Sequence, residues 1–369
     1  MGLSSERDAA KRAFLAEAGL GAARREILAG DASTRRYERL HRPDGASLIL
    51  MDQPPALESR PCPPEATPAE RVALGYNASA RLAAGRIEAF VAVAGWLRGR
   101  GLSAPQVLAH DDAGGFAVLE DLGDALFARL IEDGQAEAPL YEAAVDALVR
   151  LHEQPPPPRL EADGSAWPLL SYDDLVLKTG AGLFLEWWPK FAGMAAVDPE
   201  QAAEWDRIWA PVRARGQAVA EGPLGVFAHR DYHAENLIWR PERDGVARVG
   251  MLDFQDALRA HPAWDLLSLL QDARRDVDPA LEAAMLDRYL AARPALDRAA
   301  FLADYRALAA LNAVRILFIF ARQVVFFERP RYVAFMPRTW AHLVRNLADP
   351  SLAEVRAWFD RNVPAEARR

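Results

Sequence analysis

Two short polar segments carry side chains that could handle a divalent cation and a proton. The segment HRDYHAEN occupies residues 229–236, and the segment MLDFQ occupies residues 251–255. Carboxylate and carbonyl oxygens are the ligands that Mg²⁺ prefers, and substrate phosphates usually complete its coordination. A further carboxylate close by can accept the proton of an attacking hydroxyl. The residue types therefore indicate phosphoryl transfer, with Asn236 and Asp253 as metal ligands and Asp231 as the catalytic proton acceptor.

The residues between these segments predict the element that positions them. Two apolar runs, at 237–239 and 249–252, are separated by the polar turn sequence RPERDG at 240–245. Such a pattern is typical of a β-hairpin. The hairpin would bring Asn236 and Asp253 together at one end, with Asp231 on the loop beside them.

The motif order resembles a known family. HRDxxxxN followed by LDF is similar to the catalytic and metal-binding loops of kinases. The second histidine, His233, and the lack of glycine after Asp-Phe resemble the aminoglycoside/choline phosphotransferase branch. This resemblance implies ATP and Mg²⁺ as cofactors, and it implies that Asp265 holds the catalytic loop through hydrogen bonds to its backbone.

The resemblance also implies a fold. We expect an α+β, protein-kinase-like fold of two lobes, with a small antiparallel-sheet N-lobe and a larger, mainly helical C-lobe. The predicted domains are a nucleotide-binding lobe at 1–120 and a catalytic and substrate-binding lobe at 121–369.

Local patterns agree with this arrangement. In the first lobe we expect helices at 5–19 and 86–101 and about five strands, including a hairpin closed by the turn at 43–45. The Pro-rich stretch 53–70 predicts a surface loop or flexible insertion. The second lobe has helical patterns at 140–152, 281–292, 300–325 and 339–347.

Candidate nucleotide-binding residues lie in the first lobe. The loop before the hairpin could cover phosphates with backbone N–H groups, although an ordinary Asx turn is the alternative. In the resemblance, the 118–123 segment is the hinge whose backbone binds adenine. The predicted set is Gly30, Asp31, Ser33, Thr34, Arg35, Glu120 and Leu122.

One position departs from the kinase pattern. Kinases carry a phosphate-binding lysine on the strand after the phosphate loop, but this strand ends with Met51 and Asp52. Arg35 or Arg36 supplies the charge, or metal and backbone alone hold the phosphates, or catalysis is lost.

A narrower resemblance suggests the substrate. The motifs GDASTRRY, LMDQPP, VLEDLG, HRDYHAENL and LDFQDA occur in the order of the bacterial N-acetylmuramate/N-acetylglucosamine anomeric kinases. This resemblance spans about residues 25–325, makes the missing lysine a subfamily trait, and implies phosphorylation of the sugar C1 hydroxyl in peptidoglycan recycling. Candidate sugar-binding residues are His233, Gln255, Asp256 and Glu186.

Two other functions stay open from the sequence. One is a kinase for a different small hydroxylated metabolite or an aminoglycoside. The other is a nucleotide-binding pseudokinase module, motivated by the missing lysine. The presence of Asp231, Asn236 and Asp253 together argues against the pseudokinase.

Composition limits the partners. The 369 residues carry a net charge of −8, which argues against a broad basic surface for nucleic acid. The lone Cys62 fits a reducing compartment, the N-terminus lacks a signal peptide's apolar core, and the longest apolar run, 316–320, is too short to span a membrane. We therefore expect a cytoplasmic enzyme with a small-molecule amino-sugar partner, no membrane and no nucleic acid; oligomeric state is not predicted.

Overall fold

The architecture comes from a computed structural model, which describes residues 2–28, 35–54, 61–82 and 85–368. The strands are β1 (Arg24–Ile27), β2 (Arg36–His41), β3 (Ser47–Asp52), β4 (Val107–Asp111), β5 (Phe116–Glu120), β6 (Arg159–Ala162), β7 (Ser165–Pro168), β8 (Val226–Ala228), β9 (Leu237–Trp239), β10 (Val249–Met251) and β11 (Leu258–Ala260). The helices are α1 (Gly2–Glu17), α2 (Pro68–Leu74), α3 (Ile87–Gly99), α4 (Phe127–Glu132), α5 (Glu137–Leu151), α6 (Asp174–Gly182), α7 (Phe184–Ala192), α8 (Pro199–Glu221), α9 (Ala263–Leu270), α10 (Pro279–Ala292), α11 (Arg298–Val325), α12 (Met336–Asn346) and α13 (Ala353–Asn362).

A five-stranded antiparallel sheet dominates the N-terminal part. Its order is β1-β2-β3-β5-β4, and Tyr37 pairs with Met51 across β2 and β3. Side chains alternate between the two faces of a strand, and one face packs under α1. The core on that face consists of Phe14, Leu15, Leu40, Leu50, Phe116 and Val118. The predicted five strands and their α+β class are therefore confirmed.

Two further hairpins belong to the same compact unit, which comprises Met1–Ala136, Pro157–Leu169 and Glu235–Ala257. Helix α3 packs closely on the β6–β7 hairpin, because a Cβ on Gly95 would lie 2.1 Å from the Ala162 Cβ. The β9–β10 hairpin is joined to the segment before β4 by a bridge between Ser103 and Gly250. Tertiary contacts thus place the β9–β10 hairpin, with its two candidate metal ligands, in the same unit as the N-terminal sheet.

The Pro-rich segment contains more regular structure than its composition predicts. Residues 55–60 lie outside the described part of the chain. Helix α2 then starts at a capping box, in which Thr67 and Glu70 bond each other's backbone N–H groups. A single π-helical turn, Asn77–Arg81, follows it.

The second unit is mainly helical and comprises Glu137–Pro156, Leu170–Ala234 and Leu258–Arg369. Its central helix, α11, is 28 residues long and buries an apolar stripe at Leu308, Leu311, Val314 and Leu317. The helix has the length and composition of a membrane span, but 61% of that window is buried, as in the core helix of a globular unit. The short ladder β8–β11 lies in the same unit and leads into the HRDYHAEN segment.

Sequence patterns predicted six of the thirteen helices to within a few residues: α1, α3, α5, α10, α11 and α12. The pattern at 300–325 corresponds to α11, and those at 281–292 and 339–347 correspond to α10 and α12. Helices α6, α7, α8 and α13 of the second unit were missed. The predicted division at residue 120 stays a prediction; the two compact units are instead discontinuous, because the hairpins β6–β7 and β9–β10 pack with the N-terminal sheet.

Candidate active site

The β9–β10 hairpin has the predicted geometry. Leu237 pairs with Met251, and the Leu252 N–H donates to the Asn236 carbonyl at 2.9 Å. This register places Asn236 immediately before β9 and Asp253 two residues after β10, at the same end of the hairpin. The predicted hairpin is confirmed, and the two candidate metal ligands share one end of it.

Asp253 adopts an unusual backbone conformation. Its φ of 62° lies in the left-handed region, where a non-glycine residue costs about 1–3 kcal/mol. The side chain is 38% exposed, and its Oδ1 accepts hydrogen bonds from Arg35 and from Gln255 Nε2, the latter at 2.9 Å. Strain of this kind, in a residue whose carboxylate reaches solvent, is typical of a functional position.

Arg35 connects this carboxylate to two further polar side chains. Its Nη1 donates to Gln255 Oε1 at 2.6 Å and to the Tyr37 hydroxyl at 3.2 Å, and Nη2 pairs with Asp253. Burial opposes the charge on Arg35, but the nearby Tyr37, Asp253 and Asp256 raise its pKa above the ordinary value. Burial likewise raises the pKa of Tyr37. Arg35 is therefore a permanent, nearly buried cation next to the candidate metal ligand.

The donor set fits a magnesium ion that is completed by a ligand. Asn236 and Asp253 offer amide and carboxylate oxygen, which Mg²⁺ prefers. Within the described residues, no group of three or more His, Cys, Asp or Glu side chains has the geometry to hold a metal alone. Two protein ligands with the remaining positions left to water and phosphate is the usual Mg²⁺ arrangement in phosphoryl transfer.

The candidate catalytic loop is held by one buried carboxylate. Asp265, in the first turn of α9, accepts the N–H groups of His229 at 2.7 Å and Arg230 at 2.8 Å. Arg230 has a φ of 81°, so the turn before Asp231 is also left-handed. These bonds satisfy two backbone donors and stabilise the strained turn. The structural role predicted for Asp265 is confirmed.

Burial governs the ionisation of the groups around this turn. It raises the pKa of Asp265 to about 7, although the two backbone N–H bonds lower it, and the charge of Asp231 raises it further. His152 lies 3.9 Å from Asp265, and burial together with the charge of Arg293 lowers its pKa to about 3. His152 is therefore a neutral group whose Nδ1 contacts the Tyr289 hydroxyl at 2.8 Å.

Tyr232 is a further support that sequence reasoning missed. It is fully buried, and its hydroxyl donates to the Ala144 carbonyl of α5 at 2.9 Å. Burial raises its pKa well above the ordinary value, so the hydroxyl remains a donor. Its place inside the HRDYHAEN motif was the only sequence signal. Asp231 itself is partly exposed, so a fixed loop presents it to solvent.

The predicted sugar-binding residues fall into two groups. Gln255 and Asp256 are buried in the sheet unit, where Gln255 contacts Arg35 and Asp256 pairs with Arg81. His233 lies in the helical unit, with its Nε2 3.4 Å from Arg274. Glu186, also in the helical unit, pairs with Lys190 at 2.7 Å and is half exposed. Its neighbour Trp188 is fully buried, as expected for core packing.

The candidate nucleotide-binding residues are only partly described. Gly30, Asp31, Ser33 and Thr34 lie outside the described residues, so the phosphate-loop prediction stays a prediction. At the predicted hinge, the Glu120 N–H donates to the Gln106 carbonyl at 2.8 Å, so this N–H already has a partner and the predicted role in adenine binding stays a prediction. Leu122 is buried, and Gly123 turns the chain with a φ of 87°.

The end of β3, where kinases carry a lysine, forms ion pairs with helix α1. Asp52 is buried and receives both Arg7 at 2.6 Å and Lys11 at 2.7 Å from α1. Lys11 also contacts Glu38 at 2.7 Å. These charges join α1 to the sheet. Arg35, not a residue of β3, is the cation that reaches the candidate metal ligand.

The chain is similar over its whole length to known kinases. An N-acetylmuramate/N-acetylglucosamine kinase of Caulobacter vibrioides is 65% identical over 369 residues, which cover 100% of both chains. A protein of the same name from Pseudomonas aeruginosa is 31% identical over 335 residues, 88% of this chain and 84% of the relative.

Solved structures and a family model agree with this similarity. A choline/ethanolamine kinase family protein from Mesorhizobium loti superposes with a TM-score of 0.56 at 18% identity, covering 95% of this chain and 98% of that one, and so supports the kinase-like fold. Residues 24–302 match the model described as the phosphotransferase enzyme family. The chain therefore belongs to this phosphotransferase enzyme family, and the ATP-dependent enzyme class predicted from its motifs is confirmed.

Proposed function

We propose that this protein transfers the γ-phosphoryl group of ATP to the C1 hydroxyl of N-acetylmuramate and N-acetylglucosamine. The observation that carries this proposal is the 65% identity, over the full length of both chains, to a kinase named for these two sugars. The order of motifs adds support for the anomeric position. We assign the reaction to peptidoglycan recycling in the cytoplasm, as the resemblance implies.

In the proposed reaction, Asp231 receives the proton of the sugar. The C1 oxygen forms a bond to the γ-phosphorus, the bond between that phosphorus and the ADP oxygen breaks, and the proton passes to the Asp231 carboxylate. An anomeric hydroxyl is more acidic than an ordinary alcohol, so a carboxylate serves as the base. The turn at Arg230, held by Asp265, supports this role because a positioned group needs a rigid mount.

We assign Mg²⁺ binding to Asn236 and Asp253. When bound, the ion neutralises charge on the β- and γ-phosphates. Arg35 orients Asp253 through Oδ1, and both described hydrogen bonds to this carboxylate use that oxygen. Oδ2 is thus the oxygen we assign to the metal. Arg35 also supplies the positive charge that Met51 and Asp52 do not.

The test is a coupled ADP-release assay with N-acetylmuramate, N-acetylglucosamine and kanamycin as acceptors. We expect turnover with both sugars and none with kanamycin. Transfer to C1 also removes the reducing end, so a reducing-sugar assay should lose signal in step with ADP formation. Turnover with a retained reducing end would place the phosphate on another hydroxyl. Turnover with kanamycin alone would favour an aminoglycoside kinase, and a lack of turnover with all three acceptors would favour a non-catalytic module.

A metal titration tests the ligand assignment. Removal of Mg²⁺ with EDTA should abolish turnover, and added Mg²⁺ should restore it. Asp253→Asn should weaken Mg²⁺-dependent nucleotide binding, measured by calorimetry with a non-hydrolysable ATP analogue. Unchanged Mg²⁺ dependence of binding in this variant would contradict the assignment.

A further inference from the structure

Arg81 brings a positive charge to the segment that follows the candidate metal ligand. It is the last residue of the π-helical turn Asn77–Arg81, and its guanidinium pairs with Asp256 Oδ2. The Arg81 side chain is 42% exposed, whereas the Asp256 side chain is 6% exposed. A ligand can therefore reach the Arg81 guanidinium, while the buried Asp256 holds that guanidinium in place. π-Helical turns are often found at functional sites.

The second oxygen of Asp256 indicates a ligand. Oδ1 is buried and has no hydrogen-bond partner among the described residues. A buried polar atom left unsatisfied costs about 1–3 kcal/mol, and native proteins rarely leave one without a reason. A carboxylate accepts hydrogen bonds, so the missing partner is a donor such as a sugar hydroxyl or an acetamido N–H.

The pair lies close to the proposed site of phosphoryl transfer. Asp256 follows Asp253 by three residues, and the residue before it, Gln255, bonds both Asp253 and Arg35. Arg81, Asp256, Arg35 and Asp253 all belong to the sheet unit. A substrate held by Asp256 would thus have Arg81 next to it.

The two proposed substrates differ in one chemical group. N-acetylmuramate carries a lactyl ether with a carboxylate at O3, where N-acetylglucosamine has a hydroxyl. A guanidinium matches a carboxylate with two parallel N–H donors, and such charge-assisted bonds are about twice as strong as neutral ones. It also donates to a hydroxyl, more weakly, which permits both sugars.

We propose that Arg81 is a specificity-determining residue that binds the lactyl carboxylate of N-acetylmuramate, while Asp256 accepts a hydrogen bond from the sugar. This inference rests on the proposed function. In this proposal, Arg81 in the segment after α2 discriminates between an anionic and a neutral amino sugar.

The experiment compares the ratio of kcat/KM for N-acetylmuramate to kcat/KM for N-acetylglucosamine in the wild type and in three variants. In R81Q this ratio should fall by roughly 10- to 100-fold, the usual range for a lost hydrogen bond to a charged group. R81K should keep part of the ratio. The matched control is R86Q, which removes an exposed arginine paired with Glu88 in the same segment and should leave the ratio unchanged. The ratio does not depend on the fraction of folded enzyme.

A neutral substrate keeps the test independent of folding. With wild-type enzyme, N-acetylmuramate whose carboxylate is converted to the amide should lose the same factor as R81Q shows with the acid. The variant R81Q should not distinguish acid from amide in calorimetric binding. An unchanged ratio in R81Q, or an amide bound as well as the acid, overturns the role of Arg81. Failure of the wild-type enzyme to phosphorylate either sugar would instead overturn the proposed function.

Discussion

Two non-glycine residues in the left-handed conformation, Arg230 and Asp253, lie in the two segments that carry the candidate active-site residues, and they are held differently. At Arg230 the restraint is the buried carboxylate of Asp265, which accepts two backbone N–H groups. At Asp253 the restraint is a side-chain network, in which Arg35 and Gln255 hold one oxygen of a partly exposed carboxylate. The backbone before the proposed proton acceptor, Asp231, is thus held by a buried carboxylate, whereas the proposed metal ligand, Asp253, is held by side-chain hydrogen bonds.

This difference predicts different consequences of substitution. At the first turn, around Arg230, loss of the Asp265 carboxylate should damage both folding and catalysis, because buried backbone donors lose their acceptor. At the second turn, around Asp253, loss of the Arg35 contact should mainly weaken the binding of nucleotide and metal.

The largest effect is expected for Asp265→Ala. The change leaves the N–H groups of His229 and Arg230 buried without an acceptor, at about 1–3 kcal/mol each. We expect the free energy of unfolding to fall by about 2–5 kcal/mol in urea titrations and kcat to fall at least ~10²-fold. The control is Asp276→Ala, which removes an exposed partner of Arg338 and should cost less than about 1 kcal/mol. Equal losses of unfolding free energy in the two variants would contradict the role of Asp265 in stabilising this turn.

Asp231→Asn separates chemistry from folding in the same loop. The amide cannot accept the proton of the sugar, so kcat should fall by at least ~10²-fold, the lower bound for a positioned base. Nucleotide binding measured by calorimetry and the thermal midpoint should stay close to those of the wild type. A variant that retains most of its turnover would remove Asp231 from the mechanism.

Arg35→Gln tests the second turn. Loss of the cation beside Asp253 should raise the KM for ATP roughly 10-fold or more, as expected for a charge-assisted hydrogen bond. The matched control is Arg36→Gln, because the adjacent Arg36 is exposed at the start of β2. A larger effect at position 36 than at 35 would transfer the missing lysine's role to Arg36.

The smallest effect is a pH dependence of stability at the first turn. The pKa of His152 is about 3 in the folded protein, below its ordinary value of 6.5, so the unfolded chain binds more protons between these values. The contribution of neutral His152 to the free energy of unfolding is complete above pH 6.5 and is lost as the pH falls. The stability difference between wild type and His152→Gln should therefore shrink from pH 7.5 to 5.5, by at most about 1.4 kcal/mol per pH unit.

Asp265 changes the free energy of unfolding of the wild type with pH in the opposite direction. Its pKa is raised to about 7, so the folded protein binds more protons than the unfolded chain between pH 3.8 and 7, and its contribution grows as the pH falls. Only the comparison with His152→Gln isolates the histidine. Urea titrations at pH 7.5, 6.5 and 5.5 measure it, and a constant difference would show that His152 does not stay neutral.

Local patterns were sufficient for much of the fold and site. Alternation along β2 and β3, helical spacing in α10 to α12, and a polar turn between apolar runs predicted those elements because each depends on neighbouring residues. The hairpin that joins Asn236 to Asp253 is of this kind. The hydrogen bonds from Asp265 were predicted as well, but from family resemblance and not from any local pattern.

Long-range pairings were beyond these patterns. Nothing near Arg81 in the sequence indicates Asp256, 175 residues away. Nor does the sequence near Tyr232 indicate the carbonyl of Ala144. The structure also had to decide between Arg35 and Arg36, because their relation to Asp253 depends on how the sheet meets the β9–β10 hairpin.

The sequence by itself determined the phosphotransferase class of this protein, through the order of its motifs, and it identified one carboxylate and two further oxygen-bearing side chains as candidates for the chemistry. Tertiary structure decided which buried charges support them. Residue types and short spacings define what atoms can do, whereas the pairing of a buried ion depends on distance in space, and chain folding brings together residues that no local period relates.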